Sequence, residues 1–152
     1  MLDKKGKLWI GTRNGLNFYT GQDLKIFKSN SKDRYSLPDN EILHLTQDSL
    51  NNIWISTRKG LVIYDEKHGN FIPVNQDIMY SSLCISDGIL FGSENRIYKY
   101  DYKQCSFKSI SIKNQEDTGN DITKYRVQKI IAFSEREALV ATRRDGVYVL
   151  DY

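Results

Sequence analysis

The stretch GKLWIGTRNGLNFY at Gly6–Tyr19 returns, little changed, as NNIWISTRKGLVIY at Asn51–Tyr64. Its two tryptophans, Trp9 and Trp54, lie roughly 45 positions apart. Similarity at a period of about 20–50 residues is typical of chains that build several copies of one small structural unit. The fold is therefore predicted from the repeat before any single residue is considered.

Two weaker copies follow, at Gly88–Asp101 and at Ala138–Asp151. Each copy has a short apolar run, a turn and an alternating strand such as Leu61-Val62-Ile63-Tyr64. A further short strand follows, as at Asn70–Ile72, and another apolar stretch precedes each later copy, as at Glu41–Leu45. The pattern predicts four short strands per unit, joined by tight turns.

Four antiparallel strands repeated about every 40–45 residues are typical of β-propeller blades. We therefore predict an all-β fold, a partial β-propeller with about two complete four-stranded blades flanked by two incomplete blades. The chain is predicted to be a single propeller fragment spanning 1–152, with blade pieces at about 7–28, 41–74, 78–110 and 126–152.

Several positions of the repeat have a predicted structural role. The tryptophans are expected in the core, and small residues at one shared position, Gly11, Ser56, Gly92 and Ala141, would let the next sheet approach closely. Gly15, Gly60 and Gly146 fit turns that need positive φ, and Asn95-Arg96 takes that place in the third copy. The predicted structural positions are Trp9, Gly11, Thr12, Gly15, Asp48, Trp54, Thr57, Gly60 and Tyr64.

Composition excludes several classes of function. The chain has 152 residues and a net charge of +3, and its charges are scattered, which does not favour nucleic-acid binding. No apolar run approaches the roughly 18–20 residues of a membrane span, and the first residues have no apolar core. We therefore expect neither a signal peptide nor a transmembrane segment in this chain, and no membrane contact by it. Cys84 and Cys105 make no disulfide framework; two separate thiols are favoured, with one bridge as the alternative.

The stretch SLPDNEILHLTQDSLNNIWISTRKGLVIYD at Ser36–Asp65 resembles the two-component regulator propeller repeat. The shared pattern is Leu-Pro, Asn-x-Ile, an Asp after the inner strand, Ile-Trp-Ile-x-Thr, Gly-Leu and Tyr-Asp. The resemblance is strong over the first half of the chain and partial beyond it, since the later copies lack the tryptophan. It implies the periplasmic sensor region of a hybrid histidine kinase of gut Bacteroidetes that responds to oligosaccharides.

Strand order predicts one candidate binding surface. If the strands of a blade are labelled A to D from the hub, the B–C turns and the D–A connections lie at the same edge of each sheet. Arg13, Arg58 and Arg143 occupy the B–C turns, and Tyr35 and Tyr125 belong to the two longest connections. Arginine can bind a carboxylate or sulfate and tyrosine can stack on a sugar, so this candidate rim suits a ligand or partner. The alternative is that these arginines are ordinary solvated turn residues.

No residue pattern predicts catalysis, a cofactor or a metal. The Asp48–Asn52 segment lacks the spacing of a calcium loop and is better interpreted as a turn in which Asp48 bonds the backbone. The acidic pairs Asp39/Glu41 and Glu135/Glu137 lie in loops and turns, and His44 is expected in the core or in a central channel.

Three functions are compatible with this sequence. The favoured one is a non-catalytic sensor fragment that recognises an oligosaccharide. The second is a structural or dimerisation segment that transmits signal, with self-association through exposed blade faces. An enzyme comes third.

Overall fold

The computed structural model describes residues 1–110, 126–144 and 146–152, and every regular element within them is a β-strand. The fourteen strands are β1 Leu8–Thr12, β2 Gly15–Tyr19, β3 Leu24–Phe27, β4 Ile42–Gln47, β5 Ile53–Thr57, β6 Gly60–Asp65, β7 Asn70–Asn75, β8 Ser81–Ile85, β9 Gly88–Gly92, β10 Ile97–Asp101, β11 Ser106–Ile110, β12 Val127–Ala132, β13 Glu137–Thr142 and β14 Val147–Asp151.

The strands form four antiparallel sheets, each in chain order. The first sheet is β1-β2-β3, the second β4-β5-β6-β7, the third β8-β9-β10-β11 and the fourth β12-β13-β14. Two four-stranded sheets are thus flanked along the chain by two three-stranded ones, which confirms the predicted strand count. The first two sheets make one compact unit, Met1–Met79, and the last two make another, Tyr80–Tyr152.

In the first unit, aromatic side chains fill the space between the sheets. The buried core includes Trp9 and Phe27 of the first sheet and Ile55 and Phe71 of the second. The ring centroids of Trp9 and Tyr64 are 5.1 Å apart, and those of Phe27 and Phe71 are 5.1 Å apart at an interplanar angle of 87°. Edge-on contacts of this kind add to the free energy gained by burying the rings. Trp9 is therefore a core residue, as predicted.

Neighbouring sheets approach closely at two of the predicted small residues, Gly11 and Gly92. A Cβ added at Gly11 would lie 2.5 Å from Cγ2 of Ile42, and one added at Gly92 would lie 2.3 Å from Cγ1 of Val127. Ile42 and Val127 both open the first strand of the next sheet in their own unit. The same device therefore spaces the sheets in each unit, and a larger side chain would push them apart.

Each tryptophan is tied to a buried aspartate six residues earlier. The indole Nε1 of Trp9 donates to Oδ2 of Asp3 at 2.9 Å, and that of Trp54 donates to Oδ2 of Asp48 at 2.8 Å. Asp48 also accepts the main-chain N–H of Asn52 at 2.7 Å, which confirms its predicted turn role. These bonds satisfy an indole that would otherwise lose a hydrogen bond on burial.

Partial burial opposes the charge of the Asp3 carboxylate, but its hydrogen bonds outweigh that effect. The bond from Trp9, the main-chain N–H groups of Lys7 and Lys5 and the charge of Lys7 together hold the pKa of Asp3 below its ordinary value. The carboxylate is therefore ionised as it accepts the hydrogen bond from the indole N–H.

The β5–β6 turn needs a glycine for two separate reasons. Gly60 has φ of +117°, and a Cβ there would lie 2.5 Å from the main-chain oxygen of Asn75. Thr57 caps the turn by donating its hydroxyl to the carbonyl of Gly60 at 2.9 Å. Gly15 and Gly146 likewise have positive φ, as predicted.

The prediction for the third copy was wrong: neither Asn95 nor Arg96 has positive φ. The β9–β10 turn spans four residues and is closed by a hydrogen bond from the N–H of Ser93 to the carbonyl of Arg96 at 2.8 Å. This hydrogen bond closes the turn without a left-handed residue at Asn95 or Arg96.

The second unit has an aliphatic core. It contains Leu90 and Ile97 of the third sheet and Ile130, Val140 and Leu150 of the fourth. Phe107 of β11 adds ring contacts with Phe91 and Tyr100 within the third sheet. Cys84 and Cys105 are both exposed and form no disulfide, so the interpretation as two separate thiols holds for these two described residues.

Candidate functional site

The edge of the first unit that carries Arg13 and Arg58 is organised by two consecutive loop residues. The carbonyl of Asn40 accepts the N–H of Gly15 at 2.8 Å, and the carbonyl of Glu41 accepts the N–H of Arg58 at 3.2 Å. One connection thus anchors the β1–β2 turn and the β5–β6 turn. Arg13 and Arg58 therefore lie at the same edge of this unit, as strand order predicts.

Acidic side chains of that connection partly neutralise the edge. Nε of Arg58 lies 3.2 Å from Oε2 of Glu41, and Nζ of Lys59 lies 3.6 Å from Oδ2 of Asp39. The pair Asp39/Glu41 therefore contacts basic turn residues of its own sheet. Exposed pairs of this kind contribute little to stability, so their main effect is to orient the two basic side chains.

Tyr35 lies at the opposite edge of the second sheet. Its carbonyl accepts the N–H of Phe71 at 2.8 Å, next to the β6–β7 turn, whereas Arg58 lies in the β5–β6 turn at the other end of the strands. Its half-exposed ring is instead covered by Arg34, whose guanidinium carbon lies 4.7 Å from the ring centroid. The structure therefore does not bring Tyr35 together with Arg58. Tyr125 lies outside the described residues.

In the second unit, three side chains form a connected polar group that we call the Glu94 cluster: Tyr80, Glu94 and Arg126. The hydroxyl of Tyr80 donates to Oε2 of Glu94 at 2.7 Å, and Nε of Arg126 donates to the same oxygen at 3.0 Å. The guanidinium of Arg126 also lies over the ring of Tyr80, 4.2 Å from its centroid. Stacking and charge pairing together fix the plane of the guanidinium.

The predicted residue Arg143 belongs to the same edge. Its main-chain N–H donates to the carbonyl of Arg126 at 2.9 Å, which places the β13–β14 turn beside the Glu94 cluster. The hydrogen bond from Tyr80 outweighs the opposing effect of burial on Glu94. The bond and charge of Arg126 and the charge of Arg143 lower its pKa further below the ordinary value. Glu94 is thus a fixed anion, poorly suited to act as a general acid.

The sequence did not single out Tyr80, Glu94 or Arg126. Tyr80 and Arg126 immediately precede the first strands of the third and fourth sheets, the place that Glu41 has in the second sheet. That register position is the signal by which the cluster could have been found, since each of these residues meets a B–C turn.

A separate cavity of about 460 Å³ lies at the opposite edge of the second unit. Its walls come from the β8–β9 and β12–β13 turns, and it is lined by Ser86, Asp87, Lys99, Glu135, Arg136 and Tyr152. In the first unit, a much smaller space of about 30 Å³ lies near Asp3, Trp9 and Glu66. Glu66 there pairs with Lys5 and Lys7.

Across residues 1–110, 126–144 and 146–152, no group of three or more His, Cys, Asp and Glu side chains is arranged to hold a metal ion. His44 is half-buried in β4, and His68 pairs with Asp65 in the β6–β7 turn. Within the same described ranges, no helix is long and apolar enough to span a bilayer.

Comparison with known proteins identifies the repeat. Residues 36–59 match the model of the family described as two component regulator propeller. A 35-residue stretch is 49% identical to Histidine kinase P4 of Formosa agariphila, which is 23% of this chain and 3% of that protein.

Solved structures show the same fold over almost the whole chain. One is the extracellular domain of BT4673 from B. thetaiotaomicron, classed as a hybrid two component system, with a TM-score of 0.79 and 21% identity over 96% of this chain and 19% of that one. Virginiamycin B lyase of Staphylococcus aureus also matches, with a TM-score of 0.69 and 14% identity over 99% of this chain and 50% of that one.

The chain spans a small part of the kinase and of the extracellular domain, and half of the lyase. An extracellular domain and an enzyme both share this fold with the chain, and both at low sequence identity. These similarities therefore show the architecture of the chain but not an activity. Four antiparallel sheets of three or four strands, following one another in chain order, are the blades of a partial β-propeller. Residues 36–59 match the two component regulator propeller repeat, with Trp54 and Thr57 in the packing and turn positions described above, and the chain that contains them is an all-β, partial β-propeller.

Proposed function

We propose that this chain is a non-catalytic segment of the sensor region of a hybrid two-component histidine kinase, and that it takes part in recognising an oligosaccharide. The observation that carries the proposal is the repeat at 36–59, together with the 49% identity over 35 residues to a histidine kinase. The same proposal places the chain outside the cytoplasm, in the periplasm. The similar extracellular domain supports it through its fold.

The rim arginines are the proposed contacts for an acidic sugar. Arg143 lies beside the Glu94 cluster, where Arg126 is already held flat against Tyr80. Arg58 and Arg13 lie at the corresponding edge of the first unit. A guanidinium presents several N–H donors in a fixed fork, which fits a uronate or a sulfate.

Titration calorimetry of the chain against neutral, uronate-containing and sulfated oligosaccharides tests this proposal. We expect at least one oligosaccharide to bind. For an acidic ligand, Arg143→Ala or Arg58→Ala should weaken binding about tenfold, because a hydrogen bond to a charged group contributes roughly 1.5–3 kcal/mol. Arg144→Ala, a neighbouring exposed arginine outside the proposed contacts, is the matched control. Unchanged affinity in both rim variants would rule out the rim.

A second candidate function, a structural segment that self-associates, is favoured by the outward face of the first sheet. Ile10 and Ile26 lie on this face through the register Ile10–Asn17–Ile26 and are 43% and 55% exposed. The corresponding residue of the second sheet, Ile55, is 0% exposed because the first sheet covers it. The repeat thus builds a face of this kind for contact with another sheet.

The fourth sheet presents a similar apolar face. Val147 and Val149 of β14 are 62% and 52% exposed, and Ile131 is exposed on the same side. We propose a second copy of the chain as the partner of these faces, since exposed apolar surface of this extent favours association.

Light scattering over a concentration series measures this association. We expect the solution mass to rise with concentration to that of a dimer or a larger assembly. Ile10→Lys and Val149→Lys should lower the mass toward that of the monomer, because a buried unpaired charge opposes contact. Lys108→Ala, an exposed substitution in β11, should not change it. A monomeric mass at every concentration would contradict self-association.

A further inference from the structure

We infer that the cavity between the third and fourth sheets is a binding site for a neutral, hydroxyl-rich saccharide. This inference rests on the proposed sensing role but not on the rim arginines, which lie at the other edge of the sheets. The cavity volume of about 460 Å³ falls within the range of about 300–1,000 Å³ that is typical of small-molecule sites.

Two turns at the same edge of the second unit form its walls. Ser86 and Asp87 belong to the β8–β9 turn, and Glu135 and Arg136 belong to the β12–β13 turn. A main-chain hydrogen bond anchors each turn to another segment of the second unit. The carbonyl of Asp87 accepts the N–H of Tyr102 at 3.4 Å, and that of Arg136 accepts the N–H of Tyr152 at 2.9 Å. The two turns that line the cavity are therefore held in place by main-chain hydrogen bonds, as a preformed site requires.

The charges of the lining balance. Nζ of Lys99 lies 2.8 Å from Oδ2 of Asp87, and this pair occupies one wall. Glu135 and Arg136 supply one charge of each sign on the other wall, and in the described part of the chain neither side chain is within ion-pair distance of an opposite charge. The side chains of the lining therefore balance in charge, which gives no preference to a polyanion.

The same groups provide both hydrogen-bonding roles. Carboxylates accept from hydroxyl groups, whereas the ammonium of Lys99 and the guanidinium of Arg136 donate to hydroxyl and ring oxygens. A sugar hydroxyl is both donor and acceptor, so a saccharide can use every member of such a set. Few other small neutral molecules carry as many hydroxyl groups on one face.

Tyr152 supplies the apolar surface that sugar sites also need. It is half-buried, packs against the core of the second unit and points its hydroxyl toward the carbonyl of Ser134 at 3.5 Å. An aromatic ring anchored in this way offers apolar area beside polar groups. The combination separates this cavity from the rim, where the ring of Tyr80 is already covered by Arg126.

Titration calorimetry with maltotriose, cellotriose, xylotriose and mannobiose tests the site. We expect at least one of these neutral saccharides to bind. Arg136→Ala and Asp87→Ala should each weaken that binding about tenfold or more, because each removes a charged hydrogen-bonding partner. Arg144→Ala is the matched control and should leave affinity unchanged, with equal melting temperatures showing that every variant is folded. Amide resonances of Glu135 and Arg136 should shift on titration.

The outcomes separate the site from the sensing role. If a neutral saccharide binds and Arg136→Ala leaves its affinity unchanged, the cavity is excluded and the sensing role stands. If no neutral saccharide binds but a uronate or sulfated one does, the cavity is again excluded and the rim is supported. Binding of no saccharide of any charge would overturn both.

Discussion

Replacing Trp54 by alanine should destabilise the folded chain by about 3–5 kcal/mol, the cost typical of removing a large buried aromatic side chain. Trp54 is 1% exposed, so its removal leaves a cavity. The substitution also removes the indole N–H that donates to Asp48 at 2.8 Å, and Asp48 is itself only 1% exposed. Urea unfolding followed by circular dichroism measures the change, since the substitution itself removes a fluorescent group.

Trp54→Phe and Asp48→Asn separate packing from hydrogen bonding. Trp54→Phe keeps most of the apolar volume and loses the N–H, whereas Asp48→Asn keeps the shape of the acceptor and loses its charge. Each should cost about 1–3 kcal/mol, less than the alanine variant. A loss below about 1 kcal/mol for Trp54→Ala would contradict a central packing role for this residue.

Gly60→Ala should cost about 2–4 kcal/mol, since two effects add at this position. The backbone has φ of +117°, a conformation that side chains rarely adopt, and the added Cβ would lie 2.5 Å from the main-chain oxygen of Asn75. Because that neighbour belongs to β7, the clash should disturb the outer strand of the second sheet. Thermal unfolding and urea unfolding both report the loss.

Gly21→Ala is the control that isolates backbone strain. Gly21 has φ of +97°, but a Cβ there would meet nothing within 4 Å. Its substitution should cost about 1–3 kcal/mol from strain alone, and less than that of Gly60. Equal losses at both positions would show that the contact with Asn75 has no energetic weight.

The fold could be predicted because the repeat shows which of its positions lie in strands and which lie in turns. Each feature of the repeat has one structural use in a stacked sheet: a short apolar run forms a strand, a small residue allows close approach and a glycine forms a tight turn. The structure confirms the close approach at Gly11 and Gly92 and the positive φ of the turn glycines. Turn length is less constrained, so the β9–β10 turn differs from the pattern while its strands do not. The single-fragment interpretation of 1–152 stays a prediction.

The candidate site was harder to predict because its contacts join residues that are distant in sequence. The bond between Glu94 and Arg126 exists only once the third and fourth sheets are stacked. The position of Tyr35 depends on the path of a long connection, which strand order alone does not determine. Likewise, Asp3 becomes recognisable as the partner of Trp9 only by comparison with Asp48 and Trp54.

Saturation-transfer NMR on the 152-residue chain, with the neutral and acidic oligosaccharides together, tests the proposed sensing role most directly. It detects weak binding without presuming which edge of the sheets is used. We expect saturation transfer from the folded chain to at least one oligosaccharide, and its loss when the chain is unfolded in urea. A folded chain that transfers saturation to none of them would contradict a direct role in oligosaccharide recognition.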